Sequence, residues 1–350
     1  MKYYLKDSFL SNEYEKNAGN KARNDVEAIL ISEGYKGLEL KVENWYKMNF
    51  FKAQQHKYRA TKSVFDQLGS GDELLIQFPI IHHTFFISQL IKQAQNRGVK
   101  FYLVIHDVET LRHVGNSAVK LRHKVRNYFQ EKAALTSVDG IIVHNDIMKN
   151  ALTIQGVPSD KMVSLEIFDY LIPNFEEKNV PQKEEAIIIA GNLIPTKSGY
   201  LYNLPEQPAY NLYGMGYDES RALKNTTYFG SFMPDDLPNA LQGSFGLVWD
   251  GDSSETCKGS FGNYLRINNS HKASLYLASG FPLVVWKESA LAHFVLDKQC
   301  GIAIDSLHDL QKALDDLTDQ DYMELSANAR QVGVAIRSGD YLKSAISKLK

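Results

Sequence analysis

The chain has 350 residues, 44% of them hydrophobic, 23% charged and 11% aromatic; this composition excludes a disordered or collagen-like protein and suffices for two α/β cores. Its 39 basic and 41 acidic side chains give a formal net charge of −2, so no overall field favours nucleic acid or an anionic membrane as a partner. Because MKYYLKDSF has no signal-peptide core and no run approaches about 18 apolar residues, we expect a cytoplasmic protein without a transmembrane segment.

In the first half of the chain, short apolar runs alternate with helical patterns, as in βαβ units with a parallel sheet. Ala18, Ala22, Val26 and Ile29 repeat with the helical period and predict a helix after the first strand. The runs are almost entirely apolar, which is typical of strands covered by helices on both faces. The predicted strands span residues 1–5, 38–42, 74–78, 101–105, 140–144 and 163–168.

The same pattern restarts after residues 169–185, a stretch with prolines and charges but no periodicity, which indicates a linker. The further predicted strands span residues 186–191, 209–214, 245–250, 282–286 and 301–304. We therefore predict an α/β fold of two Rossmann-like domains with parallel sheets, at residues 1–172 and 182–336, with a helix at 337–350 that packs back on the first domain. Such domains face an interdomain cleft, where open α/β folds bind ligands.

Several common enzyme motifs are missing from the sequence. GxGxxG, Walker A, HExxH and GxSxG do not occur, which argues against dinucleotide oxidoreductases, P-loop enzymes, zinc proteases and the common serine hydrolases. The chemistry is then expected on polar loops that follow the strands.

The richest of these loops opens a helix before the strand PLVVW. Asn269 or Ser270 is a suitable N-cap, His271 and Lys272 follow, and the first-turn amides with the lysine charge predict an anion site. A diphosphate fits this chemistry, whereas the alternative is an ordinary capped helix with an exposed lysine.

A second loop carries Asp250-Gly251-Asp252 after the strand FGLVW. A DxD triplet can hold Mg²⁺ or Mn²⁺ against a nucleotide diphosphate. We favour a solvated turn or a loop that contacts sugar hydroxyls, because a helix N-terminus and a lysine can neutralise a diphosphate without metal. We therefore expect neither a metal nor another cofactor.

Two loops of the first half carry candidate bases. His106 and Asp107 follow the strand FYLVI, and His82 and His83 follow the preceding strand. An aspartate or a neutral histidine there can deprotonate a hydroxyl, and we favour Asp107; the alternative is a helix-capping aspartate beside structural histidines.

The loop after the first strand, Asn17-Ala18-Gly19-Asn20-Lys21, combines a glycine with a helix start. Glycine lets the backbone approach a ligand, and a helix start offers amides. This loop is a weaker candidate site.

Two parts of the sequence resemble a bacterial glycosyltransferase family. They are residues 243–286, which contain a GFGLVWDGD-like segment and HKASLYLASGFP, and residues 105–111, IHDVETL. The family contains glucosyltransferases that extend N-acetylglucosamine on serine-rich adhesins, and β-1,6-galactofuranosyltransferases of cell-surface polysaccharides. The resemblance implies a GT-B fold, a UDP-sugar in the C-terminal domain, an acceptor in the N-terminal domain, no required metal and a homo-oligomer.

The resemblance also implies roles for particular residues. Lys272, in the HK motif with His271, Ser270 and Asn269, corresponds to a diphosphate ligand, and Tyr210 to the aromatic residue that meets uracil. Gly191, Thr196 and Lys197 match a donor loop. The acceptor side is implied for Asn17, Gly19, Asn20 and Lys21.

The resulting hypothesis is an inverting transferase that moves a hexose, with glucose favoured, from a UDP-sugar to a glycan or glycoprotein acceptor. The residues after the DGD triplet resemble the galactofuranosyl branch, so UDP-galactofuranose is the alternative donor. A non-catalytic sugar-nucleotide-binding subunit and a sugar-nucleotide epimerase are rivals from other classes.

Overall fold

In the computed structural model, residues 1–7, 18–42, 45–80, 84–112 and 121–349 are described. The chain divides into two compact units. Unit 1 comprises Met1–Asn12, Arg23–Leu165 and Leu342–Lys350, and unit 2 comprises Glu13–Ala22 and Glu166–Tyr341. Within the described residues, each unit contains one six-stranded parallel sheet.

The sheet of unit 1 has the strand order β2-β1-β3-β4-β5-β6, and every pairing is parallel. Its strands are β1 (Lys2–Asp7), β2 (Lys36–Leu40), β3 (Glu73–Phe78), β4 (Lys100–Ile105), β5 (Gly140–Val143) and β6 (Met162–Ser164). The helices are α1 (Ala18–Ser32), which begins in unit 2 and continues into unit 1 at Arg23, α2 (Phe50–Phe65), α3 (Ile87–Gln95), α4 (Glu109–Arg112), α5 (Leu121–Ser137) and α6 (Asp146–Ile154). The central strands β3, β4 and β5 are almost wholly buried, as the continuous apolar runs predicted.

The sheet of unit 2 has the order β12-β11-β10-β7-β8-β9. Its strands are β7 (Ile187–Asn192), β8 (Tyr210–Met215), β9 (Thr226–Tyr228), β10 (Gly246–Val248), β11 (Leu283–Trp286) and β12 (Gly301–Ile304). The helices are α7 (Pro195–Ser198), α8 (Leu237–Ala240), α9 (Gly259–Tyr264), α10 (His271–Ala278), α11 (Ala290–Asp297), α12 (Leu310–Asp315), α13 (Asp319–Ser338) and α14 (Asp340–Ser347), the last of which begins in unit 2 and continues into unit 1. If the six strands are numbered 1 to 6 from β7 to β12 and the sheet is read from β9, the strand order is 3-2-1-4-5-6. This is the strand order of the Rossmann fold.

Two predicted segments differ from the structure. The stretch predicted as a linker begins inside the core of unit 2, because Asp169 and Tyr170 are buried there. The helix predicted at 337–350 starts only at Asp340, because residues 337 and 338 end α13 and Gly339, with a φ of 76°, terminates that helix with a left-handed residue.

No helix in the described part of the chain is both long enough and apolar enough to span a bilayer.

Candidate functional site

The strand order of unit 2 marks one place for a ligand. The order reverses between β7 and β10, and open α/β sheets bind ligands at the carboxyl ends of the strands beside such a reversal. Gly191 lies near the end of β7, and Asp250 follows β10. The candidate site of unit 2 therefore lies around these two residues.

Helix α10 is anchored over this point by Tyr276. The Tyr276 hydroxyl accepts a hydrogen bond of 2.6 Å from the Ala190 amide of β7, and its ring packs where a Cβ on Gly246 would stand. Lys272 lies one turn earlier on the same face of α10. The anchor consequently directs Lys272 toward Gly191, which follows Ala190.

Lys272 forms a largely buried ion pair. Its Nζ lies 2.8 Å from the Asp250 Oδ1 and 3.0 Å from the Trp249 carbonyl oxygen, and the two side chains are only 10% and 9% exposed. Removing one partner of such a pair leaves an uncompensated charge and costs about 3–5 kcal/mol. The lysine predicted to meet an anion thus already has a carboxylate partner.

The loop that carries Asp250 is fixed by backbone and side-chain hydrogen bonds. The Gly251 amide donates to the Lys197 carbonyl at 2.8 Å, and the Tyr200 amide donates to the Gly251 carbonyl at 3.2 Å. The Trp249 indole donates to the Ser253 carbonyl at 2.9 Å. The backbone of the Asp250 loop is therefore held independently of Lys272, and the loop is tied to the segment that contains α7.

Gly191 makes room for the lysine. Its φ is +125°, which side chains with a Cβ rarely adopt, and a Cβ there would lie 3.3 Å from the Cε of Lys272. A larger residue at this position is therefore expected both to strain the backbone and to press on the lysine.

We expect Gly191→Ala to lower the free energy of unfolding by about 1–3 kcal/mol, the usual cost of a residue held in a disfavoured backbone region. Chemical denaturation measures this difference. Gly69→Ala is the matched control, because its Cβ would have only an ordinary contact of 3.8 Å with Asp72. Equal stability of the two variants would show that residue 191 does not need glycine.

The start of α10 agrees with the prediction in its N-cap residue but not in the bond that this residue makes. Ser270 occupies the N-cap position in an extended conformation, but among the described residues no side-chain bond caps the helix. Asn269 is buried and donates from Nδ2 to the Glu166 carbonyl at 2.6 Å. The expected N-cap position is thus taken by Ser270 without a side-chain bond to the helix, whereas Asn269 joins the helix start to residue 166.

His271 is an uncharged member of this cluster. Its ring centroid lies 5.9 Å from that of Phe168 and 5.2 Å from that of Tyr170, and its buried Nε2 has no hydrogen-bond partner within the described part of the chain. Burial lowers the pKa of His271 to about 4; the Lys21 charge acts in the same direction, and a hydrogen bond with the Asp169 backbone opposes it. The imidazole is neutral at pH 7, so it offers a hydrogen-bonding nitrogen rather than a charge.

Tyr210 does not lie where the resemblance implied. It is the first residue of β8, at the amino end of the parallel strands, and its side chain is fully buried in the core. The site lies at the opposite, carboxyl edge. The implied contact between Tyr210 and a base is therefore corrected: the AYNLYG segment is a core strand, and burial of the ring is its role here.

Thr196 and Lys197 lie on α7, directly after β7 and thus at the carboxyl edge. Thr196 is exposed. The Lys197 Nζ lies 5.5 Å from the centroid of the Phe261 ring. The Lys197 carbonyl oxygen accepts a hydrogen bond from the Gly251 amide. Lys197 therefore borders the Asp250 loop, and the donor-loop role of both residues stays a prediction.

Lys21 belongs to unit 2, although the sequence placed it on the acceptor side of the first domain. Its buried Nζ donates to the Leu171 carbonyl and to the Asp235 Oδ1, both at 2.6 Å, and lies 4.9 Å from the centroid of the Tyr170 ring. These contacts make Lys21 an internal tether. Gly19 and the exposed Asn20 lie in the first turn of α1, rather than in a loop, and Asn17 lies outside the described residues.

In unit 1, His106 and Asp107 follow β4 at the carboxyl edge of the sheet. A ring nitrogen of His106, Nε2, is 2.7 Å from the Gln77 Oε1. The Asp107 Oδ1 accepts a 2.8 Å bond from Arg112, and the two side chains are 32% and 28% exposed. The Asp107 carboxylate is thus accessible to solvent. His83, the other candidate, lies outside the described residues.

Arg23 is a residue that the sequence analysis missed. Its guanidinium donates to the Pro79 carbonyl at 2.6 Å. Burial lowers its pKa, and the negative charges of Asp7, Asp107 and Glu27 oppose that shift. No motif singled out Arg23, because its partners are brought together from β1, β3 and β4 only by the sheet.

In the ranges that the structure describes, no group of three or more His, Cys, Asp or Glu side chains is arranged to hold an ion. Within the DGD triplet, Asp250 is engaged by Lys272.

Comparison with protein families covers nearly the whole chain. The model of the N-terminal domain of glucosyltransferase 3-like proteins matches residues 3–167, and that of their C-terminal domain matches residues 187–349. β-1,6-Galactofuranosyltransferase WbbI of Escherichia coli K12 is 33% identical over 288 residues, which are 81% of this chain and 80% of that protein. Glucosyltransferase 3 of Streptococcus gordonii is 23% identical over 326 residues, 93% and 92% of the two chains.

Among solved structures, Anabaena Alr3699/HepE in complex with UDP-glucose aligns with a TM-score of 0.57 at 11% identity, and the alignment covers 99% of each chain. At this identity the likeness concerns the fold. It confirms the predicted GT-B type of α/β fold, with its two Rossmann-like units.

Proposed function

Because the chain belongs to the glucosyltransferase 3-like family of glycosyltransferases, we propose that it transfers a hexose from a UDP-sugar to a carbohydrate acceptor. The observation that carries this proposal is the position of Lys272. Its ammonium lies between Gly191 and Asp250 at the strand reversal of unit 2, where a Rossmann-like sheet receives a nucleotide. The solved UDP-glucose complex with the same fold supports a UDP-sugar as the donor.

The donor contacts follow from the charges at this edge. In the proposed complex the Lys272 ammonium turns from Asp250 to the diphosphate, and the uncapped first-turn amides of α10 face the same negative charge. The Asp250 carboxylate, released from the lysine, accepts hydrogen bonds from sugar hydroxyls. The developing charge on UDP is thereby stabilised as the sugar departs.

The transfer itself is proposed to invert the anomeric carbon. The oxygen of an acceptor hydroxyl, bound by unit 1, forms the new bond to that carbon, and the bond between the carbon and the β-phosphate oxygen breaks with its electron pair leaving on UDP. Asp107 takes the hydroxyl proton. The solvent-reachable carboxylate at the edge of unit 1 supports this assignment.

Two hexoses are supported by the relatives. The E. coli galactofuranosyltransferase is 33% identical to this chain and the streptococcal glucosyltransferase 23% identical, so UDP-galactofuranose is a second candidate beside UDP-glucose. The acceptor is proposed to be a glycan on a protein or a cell-surface polysaccharide, met by a homo-oligomeric enzyme in the cytoplasm.

The proposed function is tested by measuring transfer from several UDP-sugars to several acceptors. The protein is incubated with UDP-glucose, UDP-galactopyranose and UDP-galactofuranose, each with N-acetylglucosaminyl and galactosyl acceptors, and the products are identified by mass. A product one hexose heavier than its acceptor is expected. UDP binding without any transfer would instead favour an accessory subunit, and interconversion of free UDP-sugars without an acceptor would favour an epimerase.

We expect turnover to survive EDTA, because Lys272 and the α10 amides supply the positive charge that a metal supplies elsewhere. Asp250 is moreover engaged by that lysine. The rate is measured with chelator and after adding Mn²⁺. Loss of activity with EDTA and its return with Mn²⁺ would make Asp250 and Asp252 metal ligands.

A further inference from the structure

Unit 1 displays four phenylalanines as one surface cluster, here called the aromatic patch: Phe50, Phe51, Phe85 and Phe86. The ring of Phe50 lies 5.7 Å from that of Phe51 and 5.4 Å from that of Phe85. Phe51 is 83% exposed, Phe50 52% and Phe86 47%. Large apolar side chains that gather on a surface mark a site of interaction more often than single ones do.

The aromatic patch is held in place by α2. The Phe85 amide donates to the Gln54 Oε1 at 3.2 Å, and Phe86 packs edge-on against Tyr58 at 5.9 Å. Asn49 caps the helix by accepting from the Lys52 amide. The rings therefore stand on a fixed support at the first turns of a sixteen-residue helix.

The exposed charged side chains of α2 itself are all positive. Lys52 and Arg59 are exposed on α2, and the helix sequence FFKAQQHKYRATKSVF contains no Asp or Glu. The chain as a whole carries a net charge of −2, so this helix is a local basic feature. Phenylalanine beside Lys and Arg on an amphipathic helix is the pattern of segments that lie in a membrane interface.

The aromatic patch lies at the carboxyl edge of the unit 1 sheet. Helix α2 leads into β3 and so runs opposite to the parallel strands, which puts Phe50 and Phe51 at the edge where β3 ends. Phe85 and Phe86 follow the end of β3 directly. Asp107 follows the end of the neighbouring strand β4, so the aromatic patch and the proposed base share one edge.

We propose that the aromatic patch and its two basic neighbours, Lys52 and Arg59, dock unit 1 on the headgroup region of an anionic lipid bilayer. The rings enter the boundary between headgroups and acyl chains, and the two cations meet the anionic headgroups. Where the proposed function holds, this docking brings a lipid-borne acceptor to the edge that carries Asp107. The docking itself requires no turnover.

The charges favour a bilayer over two other occupants. A second copy of the chain that paired helix α2 with its own counterpart would bring together two basic helices without any Asp or Glu to neutralise their cations. A neutral glycan would use the rings but would gain nothing from those charges. An anionic bilayer uses both features.

Co-sedimentation with vesicles tests the docking. The full chain is mixed with vesicles of phosphatidylcholine that contain one part in three of phosphatidylglycerol, and with vesicles of phosphatidylcholine alone. We expect the chain to bind the anionic vesicles, and this binding should weaken as the NaCl concentration is raised, because salt screens the attraction.

Variants of the aromatic patch test which side chains carry the binding. Phe51→Ser should weaken vesicle binding at least about tenfold, through loss of the most exposed ring. The double variant Lys52→Gln/Arg59→Gln should weaken vesicle binding more than tenfold at low salt, because each lost charge should weaken binding about fivefold.

Matched variants exclude a general effect of surface changes. Phe129→Ser removes another exposed phenylalanine of unit 1, one that is 64% exposed on α5. Lys36→Gln/Lys100→Gln removes two exposed lysines that begin β2 and β4 and so lie at the opposite edge of the sheet. Both controls should bind vesicles as the unchanged chain does.

The proposal is overturned if the chain does not bind anionic vesicles at low salt, or if Phe51→Ser and Phe129→Ser weaken binding equally. It is also overturned if Phe51→Ser leaves vesicle binding unchanged and instead weakens binding of a soluble oligosaccharide or shifts the sedimentation coefficient of the chain. Hexose transfer to a soluble acceptor should be unchanged in Phe51→Ser. Absence of transferase activity would therefore count against the proposed function and not against the docking.

Discussion

Lys272→Met should weaken UDP binding by roughly 1.5–3 kcal/mol, or roughly 10- to 150-fold, the range for a lost hydrogen bond to a charged group. The ammonium is expected to contact the diphosphate at the strand reversal of unit 2, and methionine keeps the length of the side chain without its charge. Isothermal titration calorimetry with UDP measures the effect.

The buried ion pair complicates that variant, because methionine leaves Asp250 without its lysine. We expect a stability loss of about 3–5 kcal/mol from the unpaired carboxylate. Lys272→Met/Asp250→Asn should recover much of this stability while UDP stays weakly bound. The matched control is Lys287→Met, which breaks an ion pair with Asp305 whose side chains are 61% and 64% exposed and should change stability by less than about 1 kcal/mol. Wild-type UDP affinity in the double variant would remove Lys272 from the donor site.

Asp107→Asn should lower kcat by about 10²- to 10⁴-fold if this carboxylate accepts the proton of the attacking hydroxyl. Asparagine keeps an oxygen that can accept from Arg112, and both side chains of that ion pair are partly exposed, so the stability cost should stay below about 1 kcal/mol. UDP affinity should be unchanged. Steady-state rates with saturating donor and acceptor measure the effect.

Glu109→Gln is the matched control for the loss of a carboxylate. Glu109 also accepts from Arg112, at 3.1 Å, but through the other guanidinium nitrogen. Its replacement should leave kcat within a few-fold of wild type. An Asp107→Asn enzyme that melts earlier yet transfers sugar at the normal rate would show that Asp107 is structural, and the base would then be sought at His106, His83 and residues 17–21.

Most of the fold could be predicted from the sequence because central parallel strands are apolar throughout. FYLVI and GIIV stand out for this reason and match β4 and β5. The edge strand β9 was missed: it has three residues, TTY, none of them fully buried, so no apolar run marks it. The strand predicted at 163–168 is shorter, because β6 ends at Ser164 and Glu166 has a positive φ of 73°.

The candidate site was predictable in its location but not in its contacts. Loops after parallel strands share one edge, so the Asp250 and Lys272 loops could be placed there. The ion pair between them joins residues 22 positions apart and depends on the anchor of α10 through Tyr276. The contact of Tyr210 with uracil was predicted wrongly. The sequence of a strand does not show whether an aromatic residue lies at the amino or the carboxyl end of the sheet.

Where the proposed function holds, the pairing of Lys272 with Asp250 makes donor binding an exchange of anions. Asp250 is the resident anion, and the diphosphate of a donor would compete with it for one ammonium. The carboxylate without its lysine would then require new hydrogen-bond donors, which the hydroxyls of the hexose would supply. Occupation by a complete UDP-sugar would thus satisfy both charges, whereas after transfer these hydroxyls leave with the hexose and the return of Lys272 to Asp250 would favour release of UDP.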